Sequence, residues 1–263
     1  MLVLGVLLAG WPTSAFAQVA FEQYEVTTGT APRQTVLTGF LLGGPVGDLV
    51  ALSVDESGDR RVQVYAFDQG TWAATFETDL GPDVSFVDVA SIAGRDRLIA
   101  YEPGRIRALD LESGMSRALV AVVASFDPPR GGPIPHADIT RDVNGDGRDD
   151  LVVPGADGFR VFVQTGAGAF ADPVTVGPPA ELARIYGADG YRFDPWSESR
   201  IHEMDFNGDG RRDLAFWSGD HFEVRRQDRR GSFSAEAETF TSDVAFDSDD
   251  RSWLATGDMQ GRV

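Results

Sequence analysis

The chain has 263 residues, no cysteine, and 41 acidic against 23 basic residues, for a formal charge of −18. That balance argues against nucleic acid or an anionic membrane surface as partner, because phosphate recognition needs a positive face. Without cysteine there is neither a disulfide framework nor a thiol nucleophile, while 42% hydrophobic residues suffice for a sizeable core.

Residues 1–17 read as a signal peptide. Leu2-Val-Leu-Gly-Val-Leu-Leu-Ala9 forms an apolar h-region, and Ala15-Phe-Ala17 is an A-x-A cleavage site before Gln18. A basic n-region is missing, which places the true start upstream or elsewhere. Trp11 and Pro12 interrupt a run already too short to span a membrane, so no membrane insertion is expected. The expected location is secreted, periplasmic or cell-surface.

From there the chain repeats. Asp48, Asp96, Asp150 and Asp213 each close a loop and each precede an apolar run: Leu49-Val-Ala-Leu52, Leu98-Ile-Ala-Tyr101, Leu151-Val-Val153 and Leu214-Ala-Phe-Trp217. A turn and an alternating run follow, as in Arg61-Val-Gln-Val-Tyr-Ala-Phe67 and Phe159-Arg-Val-Phe-Val163. Short runs of this kind bounded by turn residues read as strands. A glycine turn with a further strand completes the unit (Gly166 to Phe170, Gly231 to Ser234). Another strand leads into the next loop: Phe86 to Ala90, His136 to Thr140, Arg200 to Met204. Helical signal is confined to 180–184.

Four short strands per unit predict an all-β protein, a β-propeller of four-stranded blades over 18–263. The blades fall near 35–78, 85–123, 134–176 and 198–240. A fifth begins at 254–263, where Asp258 opens another loop. Four blades and a fragment imply a piece of a larger ring, such as a seven-bladed one; a closed four-bladed ring and a calcium-bearing β-sandwich are the architectural alternatives.

Two loops carry chemistry. Asp142-Val-Asn-Gly-Asp-Gly-Arg-Asp-Asp150 and Asp205-Phe-Asn-Gly-Asp-Gly-Arg-Arg-Asp213 place oxygen-bearing side chains at positions 1, 3, 5 and 9 and glycine at position 6. Ca²⁺ takes six to eight hard oxygens, which alternate side chains and a main-chain carbonyl can supply. An EF-hand needs a carboxylate at position 12, but these positions are Val153 and Phe216, inside apolar runs. The loops therefore read as calcium loops closing β-hairpins, or else as Asn-Gly and Asp-Gly turns that bind nothing.

The run from Asp142 through Ala156-Asp-Gly-Phe-Arg-Val-Phe-Val163 to Gly166-Ala-Gly-Ala-Phe-Ala-Asp-Pro-Val174 resembles the FG-GAP/VCBS repeat family of integrin-α-like propellers. The unit beginning at Asp205 is similar. The resemblance implies two Ca²⁺ sites: Asp142, Asn144, Asp146, the carbonyl of Arg148 and Asp150, then Asp205, Asn207, Asp209, the carbonyl of Arg211 and Asp213. The earlier units depart from this pattern. Residues 40–48 keep only the last carboxylate, and 88–96 has Ala90 and Ile92 at positions 3 and 5, so both are expected to be metal-free hairpins.

No catalytic constellation stands out, for no Gly-x-Ser-x-Gly elbow occurs and His136, His202 and His221 form no metal pair. The insertion Ile185-Tyr-Gly-Ala-Asp-Gly-Tyr-Arg-Phe-Asp-Pro-Trp196 gathers aromatics, aspartates and arginine, suited to sugar or peptide recognition. It could equally plug a channel or cover a seam. Residues 125–135, rich in proline and glycine, are a second such segment, more simply a stiff connector. The expected function is a binding or scaffold module for a protein or carbohydrate ligand. The competing reading is a polysaccharide-acting, lyase-like enzyme with Tyr186, Tyr191, Arg192 and His202 in the 185–202 region.

Overall fold

The computed structural model describes residues 23–111, 114–123, 132–179, 192–196, 199, 201–218 and 220–241, with the side chains of 192 and 193 left aside. The signal-peptide segment, the 180–184 turn, most of the 185–196 insertion, part of 125–135 and the 254–263 fragment lie outside these residues. Among the described residues the protein is all-β, built of antiparallel sheets that follow one another in chain order.

The first sheet is a meander of β1 (Arg33–Gly39), β2 (Asp48–Val54), β3 (Arg60–Asp68) and β4 (Thr71–Leu80). The second continues with β5 (Phe86–Ile92), β6 (Arg95–Glu102), β7 (Arg105–Leu109) and β8 (Ser116–Ala121), and beyond β5 it also takes β9 (His136–Ala137) and β16 (Arg192–Phe193) in parallel pairings. The third holds β10 (Thr140–Arg141), β11 (Asp150–Gly155), β12 (Gly158–Phe162) and β15 (Val174–Val176). Between its last two strands, β13 (Gln164–Gly166) and β14 (Ala169–Phe170) form a separate two-stranded hairpin. The fourth comprises β17 (Ile201–Met204), β18 (Asp213–Trp217), β19 (His221–Arg225) and β20 (Glu238–Thr241).

The apolar runs of the second and third sheets, β6 and β11, are strands buried on both sides. Side chains alternate across a strand, and in β6 this sends Leu98 and Ala100 into a core shared with the first sheet. Ile99 and Tyr101 enter a different core, shared with the third sheet. In β11, Leu151 and Val153 join that second core and Val152 joins a third, built with Leu214 and Phe216 of β18. Continuous apolarity, unusual for antiparallel strands with one wet face, records two seams at each of these two sheets. The first sheet faces only one seam, and its strands alternate accordingly: Val62 and Val64 are buried, while Arg61 pairs with Glu77 on the other face.

Two strand assignments need correction. The run from His136 to Thr140 is not one strand but two, in different sheets. Asp88 causes the division: its Oδ1 meets His136 Nε2 at 2.9 Å and its Oδ2 accepts the Ile139 N–H at 2.9 Å, pinning the chain as it crosses the seam. The glycine-rich stretches are not the fourth strands either. At Gly166, Ala167 and Gly168 φ is 102°, 49° and 74°, so the chain doubles back at once. The fourth strand of the third sheet is Val174–Val176, and that of the fourth sheet is Glu238–Thr241.

Adjacent residues of β6 thus support different seams. Leu98→Ala and Ile99→Ala are each expected to lower unfolding free energy by about 2–5 kcal/mol. Gln63→Ala, on the outer face of the first sheet, should change it by no more than about 0.5 kcal/mol. Urea denaturation of the three variants measures this; a large loss for Gln63→Ala would contradict the one-seam placement of that sheet.

Candidate metal centre

The two motif loops connect the first and second strands of the third and fourth sheets, and most of their internal bonds are shared. At position 1, Asp142 Oδ1 accepts the Asp146 N–H at 3.0 Å and Oδ2 that of Gly147 at 2.9 Å. Asp205 does the same for Asp209 at 3.0 Å and Gly210 at 2.8 Å. At position 3, Asn144 and Asn207 each accept the N–H two residues on at 3.0 Å. At position 5, Asp146 and Asp209 accept the N–H of Arg148 (2.9 Å) and Arg211 (3.0 Å). Gly147 and Gly210 have φ of 79° and 82°, the conformation a β-carbon disfavours, which is why position 6 is glycine.

Position 9 closes each loop. Asp150, fully buried, accepts the Val143 N–H at 3.2 Å with Oδ2 and the Gln164 N–H at 2.8 Å with Oδ1. Asp213, equally buried, binds Phe206 at 3.0 Å and Gln227 at 2.8 Å in the same way. Each carboxylate thus ties the beginning of its loop to a residue two positions past the third strand.

The position-7 arginines do more than supply a carbonyl. Arg148 Nε donates to Gln164 O at 3.1 Å, and Arg211 Nε to Gln227 O at 3.1 Å. Their Nη2 groups contact the position-5 carboxylates of Asp146 and Asp209. These arginine bridges were not foreseen, nor were Gln164 and Gln227. The signal was present: a glutamine stands fourteen residues after each closing aspartate.

Each loop brings three carboxylates, one amide oxygen and one main-chain carbonyl within nine residues, a hard-oxygen set of the kind Ca²⁺ selects. Among the described residues no three His, Asp or Glu side chains stand in a metal-holding arrangement; here the loop oxygens engage backbone N–H groups and arginine. The electrostatics nonetheless favour a cation at 142–150. Burial, reinforced by the charges of Asp146 and Asp142, pushes the Asp150 carboxyl up to about 7, against the N–H bonds that favour its charged form. The donor set fits the ion in kind, and Ca²⁺ bound there would supply the positive charge that this buried carboxylate lacks.

The degenerate loops are wired differently. Asp48 is buried and accepts the Leu42 N–H at 2.8 Å, retaining the closing role alone. Asp88 holds His136 and the Ile139 N–H, and its Oδ1 also accepts the Val89 N–H at 2.8 Å. Asp96 Oδ2 accepts the Phe40 N–H at 2.9 Å, reaching across the first seam.

Of the residues considered for sugar chemistry, Tyr186 and Tyr191 lie outside the described residues. Arg192 is in β16 on the second sheet and His202 in β17 on the fourth, where burial lowers its proton affinity. Trp196 is only 8% exposed, edge-on to Phe159 and under the Arg141 guanidinium, which also binds Asp194 at 2.8 Å. This end of the insertion covers the seam between the third and fourth sheets. His136 is engaged by Asp88; His221 is held above its ordinary proton affinity by Asp220 at 2.6 Å.

No protein-family model matches the chain, and no curated protein matches it. A solved structure similar to it is a Photorhabdus luminescens Tc holotoxin pore in a TccC3 mutant form, 20% identical, with a TM-score of 0.33 over 85% of this chain and 10% of that one. The chain spans about a tenth of that structure's chain, and at this score the likeness carries no inference about fold or function.

The closing aspartate can be tested without metal. Asp213→Ala strands the Phe206 and Gln227 N–H groups, one of them buried, and is expected to cost about 1–3 kcal/mol in the presence of EDTA. Chemical denaturation measures it, and an unchanged midpoint would remove the structural role assigned to this side chain.

Proposed function

We propose that the chain is an exported β-propeller module of FG-GAP/VCBS type, clamped by two Ca²⁺ ions, whose loops present a recognition surface to a protein or carbohydrate. The observation that carries this reading is the repeated bond pattern of 142–150 and 205–213. That two segments share spacing, glycine placement, arginine bridge and buried closing carboxylate points to one common requirement, and their oxygen content supports a hard cation as that requirement.

Consecutive sheets sharing cores across each seam support the propeller, since a sheet with two apolar faces is stable only between neighbours. The hairpin loops also run in a row. Asp96 touches the 40–48 loop, Asp149 Oδ2 accepts the Ser91 N–H at 2.6 Å, and Arg212 reaches Asp142 O at 3.2 Å. In this row Asp142, Asn144, Asp146, Arg148 O and Asp150 would hold one ion, and Asp205, Asn207, Asp209, Arg211 O and Asp213 the other. A cation that binds only the folded state stabilises it by mass action, by about 2.7 kcal/mol at a hundredfold excess over Kd. Calcium-rich surroundings outside the cell suit such loops.

Calorimetric titration of Ca²⁺ into the EDTA-treated protein, beside the Asp146→Ala/Asp209→Ala double variant, tests the reading. Two sites with a raised melting temperature, both lost in the variant, are expected. A folded protein that gives neither heat nor a thermal shift would reduce the motifs to turns.

A further inference from the structure

The loop 142–150 is held from outside by the neighbouring sheet. Gln227 Nε2 donates to Asn144 O at 2.7 Å, and Asn144 Nδ2 donates to Gly231 O at 3.2 Å. Arg212 Nη1 donates to Asp142 O, and its guanidinium lies so close to Gly145 that a Cβ there would be 3.2 Å from Nε. Gly231 is closer still: a Cβ on it would come within 2.8 Å of Asn144 Nδ2. Asn144 is consequently 7% exposed, whereas its counterpart Asn207 is exposed.

Gln227 is well placed to act as a latch. It is 5% exposed, and its own N–H is fixed by Asp213 Oδ1, so its side chain projects from a held backbone. The arrangement recurs one seam earlier. Gln164, also buried, donates to Ser91 O at 3.0 Å and accepts the Ala93 N–H at 3.0 Å, gripping the 88–96 hairpin.

We propose that Gln227 is a positioning residue that sets the cation affinity of the loop in the neighbouring sheet, acting through the carbonyl of Asn144 to hold the position-3 ligand in place. The proposal rests on the calcium reading of 142–150. A loop ordered before the ion arrives loses less conformational entropy on binding, so its affinity is higher. It follows that 142–150 binds Ca²⁺ more tightly than 205–213, whose position-3 asparagine is exposed.

The test uses the full chain with Gln227→Met, which keeps the side-chain length and removes the donor. Calcium affinity is read one loop at a time by calorimetry: Asp209→Ala leaves the first site to be measured, and Asp146→Ala leaves the second. Loss of one buried hydrogen bond should weaken the first site by about five- to tenfold and leave the second unchanged. A first site that keeps its affinity, or two sites that weaken equally, overturns the proposal; equal weakening would mark Gln227 as a general stabiliser of the fold.

Amide exchange in EDTA provides the metal-free readout, with faster exchange expected at 145–148 and none of that increase at 208–211. If the parent protein binds no calcium, the metal reading fails and takes the affinity claim with it. The exchange measurement then decides whether the latch itself exists, and unchanged protection at 145–148 would dispose of that too.

Discussion

The interaction on which the rest depends is the buried carboxylate that closes each loop. Asp150 and Asp213 take the N–H at the loop entrance with one oxygen and the N–H of a glutamine fourteen residues on with the other. One side chain thereby fixes the loop, the strand that follows it and the strand after that. The fixed glutamine then reaches the loop of the preceding sheet. A local hairpin contact is converted into a contact between sheets, and the same conversion is made at two successive seams. Asp48, in a loop with no other carboxylate, still holds a backbone N–H, so closure does not depend on the other loop carboxylates.

The cost of this device is electrostatic. A carboxylate with no solvent exposure disfavours its own charge, and at Asp150 the neighbouring Asp146 and Asp142 add to the penalty. Two backbone N–H bonds return part of it, while the Arg148 guanidinium engages Asp146. The protein as a whole carries −18, so no surplus of positive charge stands ready elsewhere. A divalent cation is the economical remedy, and it would act on three carboxylates at once where the arginine engages one.

Strands were legible in the sequence because two-faced burial writes itself as unbroken apolar runs: Leu98 to Tyr101 and Leu151 to Val153 could be placed without knowing their neighbours. Where the reading slipped, the deciding contact was not local. His136 to Thr140 looks like one strand until Asp88, nearly fifty residues earlier in the chain, is seen to hold both of its ends. The glycine-rich stretches invited a strand, but consecutive positive φ values turned the chain into a small hairpin. The candidate ligands themselves were legible, since spacing alone brings Asp142 to Asp150 into one curl. Gln164, Gln227 and the arginine bridges escaped notice because an amide or a guanidinium announces no chemistry until its partner is placed.

Asn144 and Asn207 carry this argument one step further. They occupy equivalent loop positions and bond the same backbone N–H within their own loops, yet one is buried and the other exposed. The difference comes from the neighbour: Gln227, Gly231 and Arg212 of the fourth sheet close over the first of them. A loop motif in a stacked protein therefore specifies a set of ligands and only half of their environment. The other half belongs to the next unit, and with it the rigidity that separates a tight site from a loose one. In the proposed propeller, equal motifs around the ring would not have equal affinities; the order in which they fill as calcium rises would follow how firmly each is covered by the unit beside it.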